Sequence, residues 1–452
     1  MSDYDTICAL ATAVGGAVAV IRLSGPEAVL VAERVWQGER RLADGPARQL
    51  LLGKLRGSEG EGIDPQCLAV RMPGPNSYTG EDVVELQCHG GALVARLALQ
   101  ALLRQGARHA EPGEFTRRAF LNGKLDLTQA EAVADLITAG SQAAVKLADR
   151  QLRGLLGQRV RAVDQQLSAM LAEVESHLDF PEEDLDWQDP EAMASTLVGL
   201  GRELERLLAT RADGEVLRGG ISLVIAGPPN VGKSSLLNAI LHRDRAIVSE
   251  VPGTTRDTIE ETAHIRGIPI RLMDTAGIRE GGDIIERAGI SRAREHLLAA
   301  DLILWVMDAS KPYSGQAWPE WPVRGKVIPV ANKRDKMTGA AMTGLPATAE
   351  RPVYVCALDG GGLEDLYDAV EQRVWTNPQA AENDVSVAAR HAASLEIAAG
   401  DLASALPLIA SEDWELAAIH LRSAIHECGL ITGRTAAPDL LAMIFARFCI
   451  GK

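Results

Sequence analysis

The 452 residues of this chain are 46% apolar and 24% charged, which excludes wholesale disorder and supplies material for several cores. Acidic residues outnumber basic ones 61 to 46, a formal charge of −15, so the overall field does not hold the chain to nucleic acid or an anionic membrane. Only 4% of residues are aromatic, which favours helix packing over a large antiparallel β architecture. In chain order, residues 7–21 form an Ala/Val/Gly-rich run preceded by Asp3 and Asp5 and by no cation. The run therefore reads as a buried strand or hairpin broken at Gly15-Gly16, not as a signal peptide. Strand-like runs at 18–23 and 83–87, Gly/Pro loops and a helix over 92–103 define an α+β domain, residues 1–119.

From about residue 125 the texture is long helix. Leu152, Leu156, Val160, Val163, Leu167, Met170, Val174 and Leu178 step by threes and fours and predict one apolar stripe. The acid-rich 179–189 segment, with Pro181, ends that helix and reads as a solvated linker. Apolar strands at 221–226, 268–273, 302–306, 327–330 and 353–355 then alternate with helices, the pattern of a doubly wound parallel sheet. After about residue 371 the Ala/Leu-rich helical texture returns. A helical domain (120–215 plus 373–452) interrupted by an α/β module (216–372) is the expected organisation, because the ends of a compact domain lie close enough to permit insertion. No run reaches the roughly 18 apolar residues of a membrane helix. The six cysteines include no CxxC pair, which argues against a disulfide framework or a cysteine zinc site. A soluble, cytoplasmic protein with no membrane attachment is expected.

Chemistry concentrates in the α/β module. Gly227-Pro-Pro-Asn230-Val231-Gly232-Lys233-Ser234, followed by Ser235, comes after a strand and opens a helix, as a P-loop does. Its backbone N–H groups can face phosphate, Lys233 can reach the β/γ-phosphates and Ser234 can ligate Mg²⁺. Asp274-Thr275-Ala276-Gly277 follows a strand, where Asp274 can hold a Mg²⁺-bound water, and Thr255 lies in a loop suited to completing the magnesium shell. In Asn332-Lys333-Arg334-Asp335 the Asp335 carboxylate can accept the N1–H and N2–H of guanine. Adenine would leave that acceptor unpaired at a cost of about 1–3 kcal/mol, so the nucleotide reads as GTP. Cys356-Ala357-Leu358 fills the last base-contacting loop, where translation-factor-type GTPases usually carry Ser-Ala-Lys. Ile278 occupies the place of the water-orienting glutamine of Ras-like enzymes, so hydrolysis needs another orienting group and another positive charge. Asp283 and Glu286 lie just downstream.

Together with Pro252-Gly-Thr-Thr-Arg-Asp257, residues 75–82, 85–91, 112–115 and 119–126, and the terminal Phe448-Cys-Ile-Gly-Lys452, these motifs resemble the MnmE (TrmE) family of tRNA-modification GTPases over essentially the whole chain. The resemblance implies a potassium-stimulated GTPase whose G domains dimerise. It makes Asn230, Ser249, Val251 and Thr254 the K⁺ ligands, places Ser249 and Thr254 at the nucleotide, and makes Glu286 the water-orienting residue, acting with Lys233 and Thr255. It further implies that Arg22, Glu85, Lys124 and Lys452 bind a 5-formyl- or 5,10-methylene-tetrahydrofolate. The implied partners are a second copy of the chain, an FAD-dependent MnmG-like protein that alone carries the flavin, and tRNA whose wobble uridine receives a (carboxymethyl)aminomethyl group at C5. For RNA contact the sequence offers the cluster Arg150, Arg153, Arg159 and Arg161, with Arg117, Arg118 and Lys124. The alternative reading is a ribosome-assembly or regulatory GTPase switch, though no basic GxxG module or second G domain is present.

Overall fold

The computed structural model describes residues 5–57, 59–179, 189–244, 260–273, 297–312, 325–337, 350–374 and 385–452, and the account below concerns those residues. They fall into two compact units. One comprises Met1–Ala134, Gln151–Gly201 and Ser394–Lys452; the other comprises Asp135–Arg150 and Arg202–Ala393.

In the first unit, β1 (Ile7–Leu10) and β2 (Val18–Ser24) form the expected hairpin. With β3 (Trp36–Gly38), β4 (Leu51–Arg56), β5 (Gly62–Met72), β6 (Val83–His89) and β7 (Arg108–His109) they make a seven-stranded sheet of order β3-β4-β5-β6-β2-β1-β7. Every pairing is antiparallel except β1 with β7. Alternation does the sorting: Ala19, Ile21 and Leu23 of β2 are fully buried while Val18 is exposed and Val20 and Arg22 are half-buried. The buried set joins Leu86 and Leu102 in one core under the helices Ala28–Val35 and Ala92–Arg104. The opposite parity puts Arg22 directly across from Glu85 in the β2–β6 register.

The helical stripe is real from Leu156 to Val174, where Leu156, Val160, Val163, Leu167, Met170 and Val174 are all buried. Its ends differ from the expectation. Leu152 closes a separate helix, Gln142–Leu152, because Gly154 takes a left-handed φ of +77° before Leu155–Asp179 begins, and Leu178 is exposed. The long helix packs on Trp414–Thr432, whose Ala417, Ala418, Leu421, Ala424, Cys428 and Ile431 are buried. Asp413 caps that second helix by accepting from the Leu416 N–H, and Gly433 ends it at φ +93°. The helix Ala389–Ala410 corrects the expectation that nothing here approaches a membrane span. It is long and apolar enough by length and composition. Its buried Ala392, Leu395, Ala398, Leu402, Ala405 and Ile409 follow one stripe, however, as in a helix packed on protein.

In the second unit β8 (Ile221–Ala226), β9 (Glu260–Ile265), β10 (Ile268–Met273), β11 (Leu302–Asp308), β12 (Val327–Asn332) and β13 (Val353–Tyr354) form a sheet of order β13-β12-β11-β8-β10-β9. It is parallel except for β9, an edge strand antiparallel to β10 that the expected pattern did not include. β8 is buried at all six positions, the signature of a strand covered on both faces. The two ends of the inserted module are bonded together. Arg218, just before β8, donates to the carbonyls of Ser386 (3.0 Å) and Val387 (3.3 Å) and pairs with Asp135 at 2.9 Å. The chain thus enters and leaves the α/β module at one place, as an insertion requires.

Candidate functional site

The loop 227–232 joins β8 to the helix Lys233–Asp244. Its glycines are demanded by close approach. A Cβ on Gly227 (φ +141°) would sit 2.2 Å from the Val306 carbonyl oxygen, and one on Gly232 (φ +94°) would sit 2.3 Å from Asn332 Nδ2. Asn230 is also left-handed, at φ +65°. Lys233 Nζ donates to the carbonyls of Gly227 (2.9 Å) and Pro228 (2.7 Å), and no ion pair with a carboxylate is found for it among the described residues. Burial holds its ammonium below the ordinary lysine range. A half-desolvated cation folded back over a glycine loop, with Ser234 and Ser235 exposed in the first turn of the following helix, is a ready anion cradle. This donor set suits the β/γ-phosphates and the hydroxyl ligation of magnesium.

The 332–335 segment is fastened to that cradle by side chains. Asn332, 2% exposed, donates from Nδ2 to the Val231 carbonyl at 2.9 Å and accepts the Ala357 N–H at Oδ1, 3.1 Å. The Ala357 N–H, in the last base-contacting loop, is therefore already engaged within the protein. Lys333 (φ +65°) donates from Nζ to the Asn230 carbonyl at 2.7 Å and to Asp308 Oδ2 at 2.8 Å. Burial pushes the Asp308 carboxyl up, but bonds from Lys333 and Ser310 outweigh it and hold the group below the ordinary range. Asp335 is exposed, and one of its oxygens faces Cys356 Sγ at 3.3 Å. Cys356 is buried and thus offers a weak thiol donor where the usual serine would offer a hydroxyl. Leu358 is 81% exposed. Asp308 is the residue here that motif reading missed; its only signal is its place at the end of a strand two positions before Ser310. Ser249, Val251, Thr254, Thr255, Asp274, Thr275, Ala276, Gly277, Ile278, Asp283 and Glu286 lie outside the described residues.

On the N-terminal sheet, Arg22 Nε and Nη2 both reach Glu85 Oε1, at 2.9 and 2.8 Å. The guanidinium lies 5.6 Å from the Tyr78 ring centroid and 5.8 Å from that of Phe115. Tyr78 is itself fixed by a 2.9 Å hydroxyl contact with Thr116. Neither aromatic was anticipated, and their proximity depends on the loop before β6 meeting the helix Glu114–Leu121. Lys124 donates to the Pro75 carbonyl at 3.0 Å, on the loop that leads to Tyr78. The C-terminus reaches the same domain: Ile450 bridges Pro112, and a Cβ on Gly451 would lie 2.3 Å from the Leu10 carbonyl oxygen. Lys452 is half-buried beside it. The structure therefore pairs Arg22 with Glu85, while no hydrogen bond or ion pair among the described residues joins Lys124 or Lys452 to them. Of the basic cluster, Arg118 is 3% exposed and locked among Asp5, Glu81 and Glu114, which removes it from any RNA surface, and Arg161 pairs with Asp126 at 2.6 Å.

Two family models match, the GTP-binding protein TrmE N-terminus over residues 6–124 and the MnmE helical domain over residues 127–449. The chain belongs to the MnmE family. Among relatives named tRNA modification GTPase MnmE, that of Synechococcus sp. (strain JA-3-3Ab) is 43% identical over 454 residues, covering 99% of this chain and 98% of its own. The Geobacter metallireducens relative is 42% identical over 463 residues and the Symbiobacterium thermophilum relative 44% over 457, each covering 99% of both chains. The architecture of this MnmE-family chain is an α+β N-terminal domain, a helical domain and a P-loop GTPase module inserted into it.

Proposed function

We propose that the chain is a GTP hydrolase of tRNA modification that acts on the wobble uridine. The carrying observation is the fastening of Asn332 and Lys333 to carbonyls of the phosphate loop, which sets the guanine-reading segment beside the phosphate cradle. In this reading Asp335 accepts the guanine N1–H and N2–H, the 227–235 loop and Lys233 hold the phosphates, and Asn332 and Lys333 brace the pocket. Ala357 and Leu358 border the base, and Cys356 positions Asp335. Ser234 and Thr255 would hold magnesium, which when bound offsets charge on the phosphate oxygens. Asp274 to Gly277 would follow the γ-phosphate, and Glu286 would orient the attacking water.

The aliphatic Ile278 leaves a missing positive charge, and K⁺ held by Asn230, Ser249, Val251 and Thr254 would fill it. Arg22, Glu85, Lys124 and Lys452 would receive a reduced folate, with Glu85 accepting from the aminopyrimidine edge and the cations meeting the glutamate tail. The domains would be 1–119, 120–215 with 373–452, and 216–372. A second copy, an FAD-bearing MnmG-like protein and tRNA would complete the assembly, in the cytoplasm, with the one-carbon unit supplied by the folate. GTP hydrolysis would rearrange the G module rather than enter the carbon chemistry.

The test is phosphate release from GTP and ATP in KCl and in NaCl. GTP-specific release that falls sharply in NaCl is expected. Equal rates in both salts would discard the potassium assignment, and equal use of ATP would discard the guanine reading. Nucleoside mass analysis of tRNA from cells lacking the protein tests the pathway, with loss of the C5 substituent at the wobble uridine expected.

A further inference from the structure

Asp308 belongs to none of the motifs above, yet it closes β11 against the phosphate loop. One oxygen accepts the Ser310 N–H at 3.0 Å and the Ser310 hydroxyl at 2.6 Å, which fixes the carboxylate's direction. The other accepts Lys333 Nζ at 2.8 Å, with side-chain exposures of 14% for Asp308 and 28% for Lys333. A pair this sheltered is screened less than a surface pair and is held by neighbours that are themselves fixed. The ammonium that Asp308 holds also donates to the carbonyl of Asn230, the left-handed residue of the phosphate loop. Three chain segments, the end of β11, the end of β12 and the loop after β8, therefore meet on one lysine nitrogen. Asn332 supplies a second tie between the last two of these segments, and its carbonyl accepts the Ala309 N–H at 2.7 Å beside Asp308, but among the described residues Lys333 is the side chain that bonds both Asp308 and the phosphate loop.

We propose that Asp308 is a positioning residue for guanine-nucleotide retention, pinning Lys333 so that the base-reading segment 332–335 and the phosphate loop move as one body. Without the carboxylate, the Lys333 ammonium keeps one carbonyl partner and is free to swing to solvent, which leaves the Asn332 bond to hold the base-reading segment to the phosphate loop and loosens their joint grip on the nucleotide. Asp308 touches neither base nor phosphate in this scheme and acts through Lys333 alone. The inference rests on the guanine-nucleotide reading.

The experiment measures dissociation of a fluorescent GDP from the full-length wild-type protein and from D308A, D308N, K333A and D308A/K333A. D308A is expected to release nucleotide about tenfold faster, the size of one lost charge-assisted hydrogen bond, with D308N between it and the wild type. The preference for GTP over XTP should stay unchanged, because Asp335 sets it. In the K333A background D308A should add nothing further, a coupling that a merely structural role would not produce. Wild-type-like release by both D308A and D308N overturns the proposal, as does an undiminished D308A effect beside K333A. Failure of the wild type to retain GDP overturns the guanine reading itself.

Discussion

At the scale of single residues, the base-reading carboxylate carries the sharpest test. Asp335 is exposed and, among the described residues, has only the Cys356 thiol against one oxygen, so its acceptor capacity remains available. Changing Asp335→Asn replaces an acceptor with an amide that donates, which suits xanthine's C2 carbonyl. GTP turnover at limiting substrate should fall roughly 10- to 100-fold, following about 1–3 kcal/mol for a mispaired polar group, and XTP turnover should rise. Parallel phosphate-release assays with both nucleotides read this directly. A second residue-scale test concerns acid. Asp5 bonds Arg108 at 2.7 Å and Arg118 at 2.6 Å, and chiefly through the Arg108 bond its carboxyl is lowered from 3.8 to about 2. Glu114 is 1% exposed; burial pushes its carboxyl up, but Arg108, the Glu111 N–H and Arg118 outweigh that and keep it low. Both carboxyls are depressed in the folded state, so their contribution is complete above the unfolded values, 3.8 for Asp5 and 4.5 for Glu114, and is lost as pH falls through the folded ones, which for Asp5 lies at about 2. Urea midpoints measured across about pH 5 to 2 should therefore drop steeply in the wild type. Arg108→Met should be destabilised by about 1–3 kcal/mol at neutral pH, because buried Glu114 loses one charged partner while keeping Arg118 and the Glu111 N–H, and should show a flatter acid limb.

At the scale of elements, the helices depend on burial more than on ion pairs. Leu167 sits at 0% exposure in the middle of Leu155–Asp179, the helix that packs on Trp414–Thr432. The rim pairs Arg422–Glu175, between the same two helices, and Arg434–Asp164, just past Gly433, are largely exposed on the arginine side and contribute about 0–1 kcal/mol each. Leu167→Ala should cost about 2–5 kcal/mol, and faster hydrogen exchange of amides 155–179 would register it. Arg422→Ala should barely move the same amides. The β9–β10 hairpin shows a different kind of dependence. Arg266 (φ +51°) and Gly267 (φ +80°) are both left-handed, as a type I′ turn needs, and Arg266 then pairs with Glu364 and Asp368. An Arg-Gly pair is a poor turn signal compared with Asn-Gly, and β9 itself reads Glu-Glu-Thr-Ala-His-Ile, so strand and turn were both missed.

At the scale of the first unit, the chain ends where it began. Ile450 bridges Pro112, the Gly113 N–H reaches the Cys449 carbonyl at 3.4 Å, and Gly451 (φ +96°) lies against Leu10 of β1. Any residue other than glycine at 451 would meet backbone and take a strained φ. Deleting residues 450–452 should abolish retention of 5-formyltetrahydrofolate while leaving GTP hydrolysis within about twofold, since these residues pack on the N-terminal sheet and belong to a different compact unit from the nucleotide loops. Equilibrium dialysis with the folate, beside phosphate release, checks both halves. Retained folate binding would remove Lys452 from that site.

Local chemistry alone determined β2 and β6 of the first sheet, the parallel strands of the second, the long helical stripe, the insertion and the phosphate loop, because each depends on periodicity or on glycines at fixed spacing. The Arg22–Glu85 pair was legible as two separate charges, and only the β2–β6 register made it a pair. Tyr78 and Phe115 beside Arg22, Arg118 buried among carboxylates, and Asp308 behind Lys333 could not be read along the chain. Their roles come from contacts between residues dozens of positions apart, and a side chain's partner across such a span is set by which faces the core brings together.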